Sequence, residues 1–254
     1  MTSNAARARS AARNGGNRSQ SDVVFDGITH MISAGQLQPG GRLPVEQELS
    51  EQLGVSRGSL REGVRALALM GVLETRQGAG TYVTSLDPAT LLAPLGVLVD
   101  LQRPENIIDL MSVRRVLEVE AAGRAALRIS DAELAAAGNV LMRMERMLDH
   151  DPVDHEALME ADVDFHRMIA QASGNATLTA LISGLAGRTI RVRMRRALHE
   201  EGVERTTHAE HQAILSAMTA RDPDVARLRM GVHLVSVEEY LRSHLGADLD
   251  WATG

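Results

Sequence analysis

The sequence predicts a mostly α-helical protein that carries one small β-hairpin near its N-terminal end and an all-helical bundle behind it. Three observations predict this fold class. Apolar residues recur at helical spacing through most of the 254 residues. Short β-type runs occur in one place, between residues 72 and 84. Aromatic residues make up 2% of the chain, so aliphatic side chains and methionine must fill the cores.

Composition excludes several classes of protein. The chain has no cysteine, which rules out disulfide frameworks, thiolate metal sites and cysteine nucleophiles, so any metal must be held by His, Asp or Glu. Hydrophobic residues make up 44% and charged residues 24%, a globular composition. No apolar run approaches the ~18 residues of a membrane span, and none follows the N-terminal arginines as in a signal peptide. We expect a soluble, cytoplasmic protein with no membrane partner.

Charge is distributed unevenly along the chain. Residues 1–20 carry four arginines and no acidic residue among small polar residues, and we predict a disordered basic arm there. Residues 1–85 hold nine arginines against seven acidic residues, whereas residues 86–254 hold 18 against 26. Such an asymmetry is expected when the front part of a chain approaches a polyanion and the rear part does not.

Residues 21–85 are predicted to form the first domain, which begins with three helices. Apolar residues at helical spacing place these helices at 23–34, 45–53 and 57–70. Gly54 ends the second helix, Ser56 caps the third, and Gly71 terminates it. A tight turn containing glycine between two helices is typical of a helix-turn-helix.

After Gly71 the period of the pattern changes from that of a helix to that of a strand. Two short β-type runs, at 72–76 and 81–84, are separated by the glycine-containing stretch 77–80. This arrangement predicts a hairpin, which would serve as the wing of a winged helix-turn-helix.

The third helix and the hairpin carry residues that we predict to contact DNA. The N-terminal residues of a recognition helix enter the major groove, where arginine can grip guanine and serine can meet a base or a phosphate. Glycines at a hairpin tip allow close approach to phosphate or to the minor groove. The predicted contacts on these two elements are Ser56, Arg57, Ser59, Arg61, Arg76, Gln77 and Gly78. The alternatives are that Arg57 and Arg61 are solvated helix charges, or that the domain binds another protein.

The rest of the chain is predicted to be helical. Residues 86–103, with Pro88 and Pro94, are interpreted as a linker with one short helix. Residues 104–245 show helical periodicity without a strand pattern and predict an all-α bundle, which a tail at 246–254 follows. The predicted helices of this bundle lie at 105–128, 130–148, 154–172, 175–198, 206–220 and 222–245.

Histidines concentrate in the predicted bundle, which holds eight of the nine. Asp162 and His166 lie four residues apart in a helical segment and therefore share a face, while His211 and His233 lie on later helices. Imidazole and carboxylate ligands suit Zn²⁺, Ni²⁺ or Mn²⁺. The alternatives are a surface pair or a histidine with satisfied hydrogen bonds in the core, and His208 could compete as a ligand.

The first domain resembles a known family of DNA-binding domains. The stretch GQLQPGGRLPVEQELSEQLGVSRGSLREGVRALALMGVLETRQGAGTYV, residues 35–83, is similar to the winged helix-turn-helix of the GntR family of bacterial transcription regulators. The resemblance implies binding to double-stranded DNA and adds Arg42 and Gln47 to the expected contacts. Val45 stands where the family often has a capping serine, so we expect a weaker cap there. Gln47 stands where several members have arginine, which favours adenine over guanine.

The rear domain resembles the effector domain of the FadR subfamily, called the FCD domain, over residues 104–245. The motifs RRVLEVEAA, DVDFHRMIAQASGN, EHQAILSAM and RDPDVARLRMGVHL carry the resemblance. It implies a divalent metal, with Zn²⁺ preferred to Ni²⁺ or Mn²⁺, held by Asp162, His166, His211 and His233.

The same resemblance implies a binding site for a small effector that bears a carboxylate. It places an effector-facing arginine at Arg114, whose guanidinium offers two parallel donors to a carboxylate. The alternative for Arg114 is an ordinary salt bridge with Glu118, one helical turn away. Asn175 is expected to cap the next helix and to face the effector pocket.

These features favour a homodimeric regulator that binds DNA and responds to a ligand. The resemblance implies a repressor, and two-fold symmetry predicts a palindromic operator. Two alternatives stay open. The metal could be purely structural, or the Asp/His cluster could be the site of a metal-dependent enzyme with Glu160 or Glu210 as its general base, although no further motif supports an enzyme.

Overall fold

The structure is a computed structural model that describes residues 19–101 and 106–244. The first 18 residues of the predicted arm and the predicted tail at 246–254 lie outside the described residues. The chain divides into two compact units, Met1–Leu91 and Leu92–Gly254. The first unit holds a two-stranded antiparallel sheet among helices, and the second is helical. This architecture confirms the predicted fold class.

The described elements are named here in chain order. Before residue 92 they are α1 (Gln20–Ser33), α2 (Glu46–Leu53), α3 (Arg57–Leu69), β1 (Leu73–Arg76) and β2 (Gly80–Val83). Two short helices follow, α4 (Pro88–Leu92) and α5 (Pro94–Asp100). The bundle consists of α6 (Ile107–Arg128), α7 (Asp131–Leu148), α8 (His155–Ala172), α9 (Ala176–His199), α10 (Val203–Thr219) and α11 (Pro223–His244). None of the described helices is long and apolar enough to span a bilayer.

Helix α1 begins earlier than predicted. Ser19 and Asp22 form a capping box, in which the Ser19 hydroxyl accepts from the Asp22 amide at 3.1 Å and the Asp22 carboxylate accepts from the Ser19 amide at 3.0 Å. The prediction that the disordered arm extends to residue 20 is therefore wrong at its end, because the capping box fixes Ser19 and starts the helix at Gln20.

The core of the first unit lies between α1, α3 and the hairpin. Val24 and Ile28 of α1 are fully buried against the apolar face of α3. A Cβ atom on Gly63 would lie 2.5 Å from Val24 Cγ1, so glycine at this position lets the two helices approach closely. The packing fixes the inner face of α3 and leaves Ser56 and Arg57, at its N-terminal end, exposed.

The predicted turns of the first unit are present. Gly54 ends α2 with a φ of 66° and Gly71 follows α3 with a φ of 72°, conformations that favour glycine. Ser56 caps α3 by accepting from the Ser59 amide. Val45 makes no side-chain cap for α2, as we expect from the missing serine.

The predicted linker contains two short helices where we expected one. Helix α4 cannot continue through Pro94, because proline has no amide hydrogen to donate to the preceding turn. Proline is well tolerated as the first residue of a helix, and Pro94 accordingly begins α5. The prediction of one short helix is wrong for this reason, and residues 102–105 lie outside the described part.

The second unit is the predicted helical bundle. Its core is built largely from small and aliphatic side chains, and Phe165 is fully buried among them. Helices α6 and α11 run antiparallel along each other, and a Cβ on Gly123 would lie 2.4 Å from Arg227 Nε. This close packing holds fixed the helices that carry Arg114 and His233.

Candidate functional site

The first candidate site is a groove beside α3. It has a volume of about 610 Å³, and α2, α3 and the hairpin contribute its walls. Its basic lining residues are Arg42, Arg61, Arg65 and Arg76. Gln77 and Gly78 of the hairpin tip also line it. The groove thus joins two predicted elements, the recognition helix and the wing, into one positively charged surface.

At the start of α3, two of the residues that we predict to contact DNA form hydrogen bonds within the protein. The Ser56 hydroxyl accepts from the Ser59 amide at 3.1 Å, and the Ser59 hydroxyl donates to Gln20 Oε1 at 3.0 Å. Gln20 Oε1 also accepts from the Ser56 amide at 3.2 Å. Sequence reasoning missed Gln20, because we assigned it to the disordered arm.

The two arginines of α3 are paired but exposed. Arg61 donates to Glu46 through Nε at 3.0 Å and Nη2 at 2.8 Å, and the two side chains are 61% and 52% exposed. The hydrogen bond from Arg61 lowers the pKa of the Glu46 carboxyl. Arg57 Nη2 donates weakly to Gln47 Oε1 at 3.4 Å. Exposed pairs of this kind contribute little free energy, so a phosphate or a base can replace the protein partner.

The wing places its arginine over an aromatic ring. The Arg76 guanidinium lies 4.3 Å from the centre of the Tyr82 ring and donates through Nε to Glu74 at 3.0 Å. A Cβ on Gly80 would lie 2.8 Å from Arg42 Nε, so glycine leaves room for that arginine. Gly78, with a φ of 73°, has open space around it at the tip. The tip can therefore approach another surface closely.

The second candidate site lies inside the bundle. One ligand atom from each of His166, His211 and His233 lies within 4.8 Å of the others, and the three side chains are at most 3% exposed. Asp162 Oδ1 lies 3.5 Å from His211 Nε2 and 4.0 Å from His166 Nε2. Helices α8, α10 and α11 thus bring together the four side chains that the resemblance named.

Two carboxylates orient two of these imidazoles. Glu118 bonds His166 Nδ1, and Glu210 Oε2 lies 2.8 Å from His233 Nδ1. The opposite Nε2 atoms of His166 and His233 then lie 3.2 Å apart. Metal-ligating histidines commonly hold their second ring nitrogen against a carboxylate in this way. We did not predict this role for Glu118 or Glu210.

His211 is the least satisfied residue of the cluster. Its side chain is fully buried, and neither ring nitrogen has a hydrogen-bond partner among the described residues. Burial lowers the pKa of His211 well below its ordinary value and that of His233 to about 4. Both imidazoles are therefore neutral at pH 7, which is the form that binds a metal. Orphaned buried nitrogens are rare, and here they fit a divalent cation.

Arg114 is buried in an ion pair. It is 1% exposed, and its Nε donates to Glu118, so the salt bridge that we considered as an alternative is present. Burial would raise the pKa of Glu118, but Arg114 and His166 outweigh it and hold that pKa well below the ordinary value. Arg114, Glu118 and His166 form one buried chain of charged or polar contacts.

The other predicted residues of this unit lie in separate places. Asn175 caps α9, with Oδ1 accepting from the Leu178 amide at 3.1 Å. His208 lies outside the three-histidine cluster, with Nε2 3.0 Å from the Gln212 amide nitrogen. A cavity of about 50 Å³ adjoins the cluster at Asp162 and His233, and neither Arg114 nor Asn175 is among the described residues that line it.

Sequence reasoning also missed Arg193 of α9. It is 6% exposed, and its Nη1 donates to Asp162. Burial and the charge of Arg114 lower the pKa of Arg193. Helix α9 carries five arginines. Their spacing alone gave no sign of which one faces Asp162.

Comparison with known proteins finds a family for each part of the chain. Residues 20–83 match the family described as bacterial regulatory proteins, gntR family, and residues 109–236 match the FCD domain. A putative L-lactate dehydrogenase operon regulatory protein of Escherichia coli K12 is 32% identical over 233 residues, 89% of this chain and 87% of that protein. The transcriptional regulator LutR of Bacillus subtilis is 33% identical over 219 residues, 84% of this chain and 97% of that protein.

A solved structure is similar as well. The GntR protein of Streptococcus agalactiae superimposes with a TM-score of 0.59 at 28% identity and covers 87% of this chain and 99% of its own. These relatives are regulators of transcription, which removes the enzyme alternative. The chain belongs to the GntR family of bacterial regulatory proteins, in the FadR subfamily with an FCD domain, and is a ligand-responsive DNA-binding regulator of transcription.

Proposed function

We propose that the chain is a homodimeric repressor whose FCD domain holds a divalent metal ion and a small organic acid that weakens operator binding. The observation that carries the proposal is His211, a fully buried imidazole whose two nitrogens have no hydrogen-bond partner among the described residues. Burying an imidazole without hydrogen bonds costs free energy that burying an apolar side chain does not. A ligand bound to these nitrogens therefore accounts for a histidine at this position.

The donor set supports a transition metal. His166, His211 and His233 supply imidazole nitrogens and Asp162 supplies a carboxylate oxygen. Zn²⁺ suits this set best, with Ni²⁺ or Mn²⁺ as alternatives, because three imidazoles with a further position left open are a donor set that zinc sites use. Bound there, the ion would act as a Lewis acid with coordination positions open to a carboxylate. Glu118 and Glu210 would keep the imidazoles turned toward it.

The acid is supported by buried positive charge. Arg114 and Arg193 both lie in the interior beside this donor set, where their charges influence each other. Glu118 and Asp162 already pair with these two arginines, so the charge that an anionic ligand would offset is that of a bound metal ion. Arg114 stays a proposed effector contact on the family resemblance. Asn175, which caps α9, stays one on its position in the sequence after Gly174.

DNA binding is assigned to the groove beside α3. We propose that its arginines meet phosphates and guanine and that Gln47 reads adenine. Two copies related by a two-fold axis would read a palindromic operator. The acid must bind one arrangement of the dimer better than another, because equal binding to both would change nothing. A bacterial regulator that binds operators must reach the chromosome, which lies in the cytoplasm. We therefore propose a cytoplasmic location.

A purely structural metal is the second candidate. The complete burial of the three histidines favours it, because structural metal sites are closed whereas sites that bind a further ligand keep a position open. Under this alternative, His211→Ala lowers the melting temperature but leaves the response of operator binding to the acid intact.

Elemental analysis tests the metal directly. Protein purified without chelators should hold a stoichiometric divalent metal, and His211→Ala should hold much less. His199→Ala, a change at an exposed histidine, is the matched control. Wild-type protein that contains no metal, and takes up none on dialysis, would contradict the proposal.

Selection from random DNA tests the operator. We expect the selected sequences to be palindromic and the protein to sediment as a dimer. A monomer that selects a single half-site would contradict the symmetric part of the proposal.

A further inference from the structure

The first turn of α1 lies against the N-terminal end of α3. Gln20 Oε1 accepts from the Ser56 amide at 3.2 Å and from the Ser59 hydroxyl at 3.0 Å. One turn further along α3, the Ser21 hydroxyl donates to Glu62 Oε2 at 2.9 Å. The first residue of α1 is therefore tied to the end of α3 that we propose to enter the major groove.

The residue before α1 is fixed as well. Ser19 is held through both its amide and its hydroxyl by the capping box with Asp22. Ser19 and Gln20 are both exposed, as are Ser56 and Arg57 at the start of α3. The segment that precedes Ser19 therefore joins the domain beside the end of α3 that is open to DNA.

That segment, residues 1–18, is strongly basic. It contains four arginines and no acidic residue, and its other residues are chiefly alanine, asparagine, glycine and serine. The arginines are Arg7, Arg9, Arg13 and Arg18. The match to the gntR family begins only at residue 20, so the family resemblance assigns no function to this segment.

The length and charge of residues 1–18 suit a DNA backbone. A stretch of 18 residues spans at most about 60 Å when fully extended. Double-stranded DNA carries one negative charge per roughly 1.7 Å of its axis, so each arginine of the segment has phosphates within reach. The guanidinium group can donate two parallel hydrogen bonds to a phosphate. The groove beside α3 is lined by arginines too, so one polyanion can satisfy both surfaces.

We propose that residues 1–18 bind phosphates of the DNA next to the bases that α3 reads, as a second contact that does not depend on base sequence. The inference rests on the proposed function, in which DNA binds the groove beside α3. It adds up to four phosphate contacts for each chain on the operator. Such contacts raise affinity and make it more sensitive to salt.

The salt dependence of operator binding by the full chain tests the inference. One variant changes all four arginines of residues 1–18 to glutamine. The matched control makes the same change at four exposed arginines of the bundle, Arg143, Arg146, Arg167 and Arg229. Fluorescence anisotropy gives the affinity of each protein for a selected operator at several salt concentrations.

The expected result follows from counterion release. Each phosphate that is neutralised contributes about 0.9 to the slope of log K against log salt concentration. We expect the slope of the four-arginine variant to be shallower than that of the wild type by about 3–4 for each chain bound. The ratio of wild-type to variant affinity should therefore grow about 100-fold as the salt falls from roughly 200 to 50 mM. The bundle control should keep the wild-type slope.

Site-directed cleavage tests the position of the segment. Because the chain has no cysteine, Ser10→Cys provides a single thiol for an iron chelate that cleaves nearby DNA. We expect cleavage within or beside the operator, and none from the wild type treated with the same reagent. Absence of cleavage from labelled Ser10→Cys that still binds the operator would overturn the inference.

The remaining outcomes separate the inference from the proposed function. A wild-type salt slope in the four-arginine variant overturns the inference, and so does an equal change in the bundle control, which would show an effect of net charge alone. If Arg61→Ala weakens binding in the same assay, the groove assignment survives that failure. A shallower slope in the four-arginine variant, with wild-type affinity in both Arg57→Ala and Arg61→Ala, supports the contact of residues 1–18 and contradicts the groove assignment.

Discussion

The same pair of side chains, arginine with glutamate, occurs in both candidate sites with opposite consequences. Arg61 and Glu46 lie on the groove beside α3 and are 61% and 52% exposed, whereas Arg114 and Glu118 lie in the bundle and are 1% and 2% exposed. Water competes for the first pair and is excluded from the second. The exposed pair can therefore exchange partners with little loss of stability. Loss of one partner from the buried pair should lower the free energy of unfolding strongly.

This difference matches the functions that we propose for the two sites. A DNA-reading surface has to release its own partners each time it binds. A metal and effector centre has to hold its ligands in place between binding events. Variants at the groove should therefore alter binding more than folding, and variants at the buried centre should alter folding as well.

The largest expected effect is at Glu118. Glu118→Leu leaves the buried charge of Arg114 and the Nδ1 atom of His166 without their partner, and should lower the free energy of unfolding by about 3–5 kcal/mol. Urea denaturation measures this. The double variant Arg114→Leu/Glu118→Leu should recover much of the loss, because a buried pair replaced by apolar side chains is often neutral.

The matched change on the groove is Glu46→Leu. It should change the free energy of unfolding by no more than about 1 kcal/mol, because Glu46 and Arg61 are both exposed. Equal losses at Glu46 and Glu118 would remove the difference between the two sites.

Acid should destabilise the bundle when the metal is absent. The pKa of His233 falls from 6.5 to about 4 on folding, chiefly through burial. The unfolded chain therefore takes up the proton first, and the stability from this residue is complete above pH 6.5 and lost as the pH falls toward 4. Such a shift corresponds to at most about 3 kcal/mol.

Urea midpoints of the metal-free chain at several pH values measure this loss. His233→Asn should flatten the dependence between pH 6.5 and 4, and His199→Asn should not. A wild-type midpoint that stays constant over this interval would show that His233 titrates normally.

A smaller effect, confined to DNA binding, is expected at Arg61. Arg61→Ala should weaken binding to a selected operator by about 1–3 kcal/mol, the usual range for an arginine that contacts a base. The free energy of unfolding should change by less than about 0.5 kcal/mol, because the side chain is exposed. Fluorescence anisotropy measures the affinity. If Arg61→Ala and Arg57→Ala both bind as wild type does, α3 is not the recognition helix.

The smallest effect is an increase in affinity. Glu46→Gln frees Arg61 and removes a negative charge from the groove, so operator binding should tighten by less than about 1 kcal/mol. Glu48→Gln on the same helix makes the same change in charge and controls for it. A tighter complex in both variants to the same extent would show that only net charge matters.

Much of the fold could be predicted from local signals. Ser56, Gly54 and Gly71 mark helix ends through short-range bonding and backbone preferences, and the structure places the ends there. The start of α1 was missed because the capping box of Ser19 and Asp22 lies in a stretch whose composition suggested disorder. The hydrogen bonds of the capping box start a helix where the composition alone suggested disorder.

The candidate metal centre was predictable only in part. The family resemblance named its four ligands, but not Glu118, which reaches His166 across 48 residues of sequence. Nor did any local pattern separate Arg193 from the other arginines of α9. Such contacts depend on how helices pack, and that information is spread over the whole bundle.

We propose that the buried centre controls the affinity of the exposed groove for DNA. The most direct test is the affinity of metal-loaded wild type and His211→Ala for a selected operator, measured by fluorescence anisotropy as lactate is added. We expect the acid to weaken wild-type binding by roughly 5- to 150-fold, the usual range of allosteric coupling, and to leave the affinity of His211→Ala unchanged. An equal response in both proteins, or none in the wild type, would contradict it.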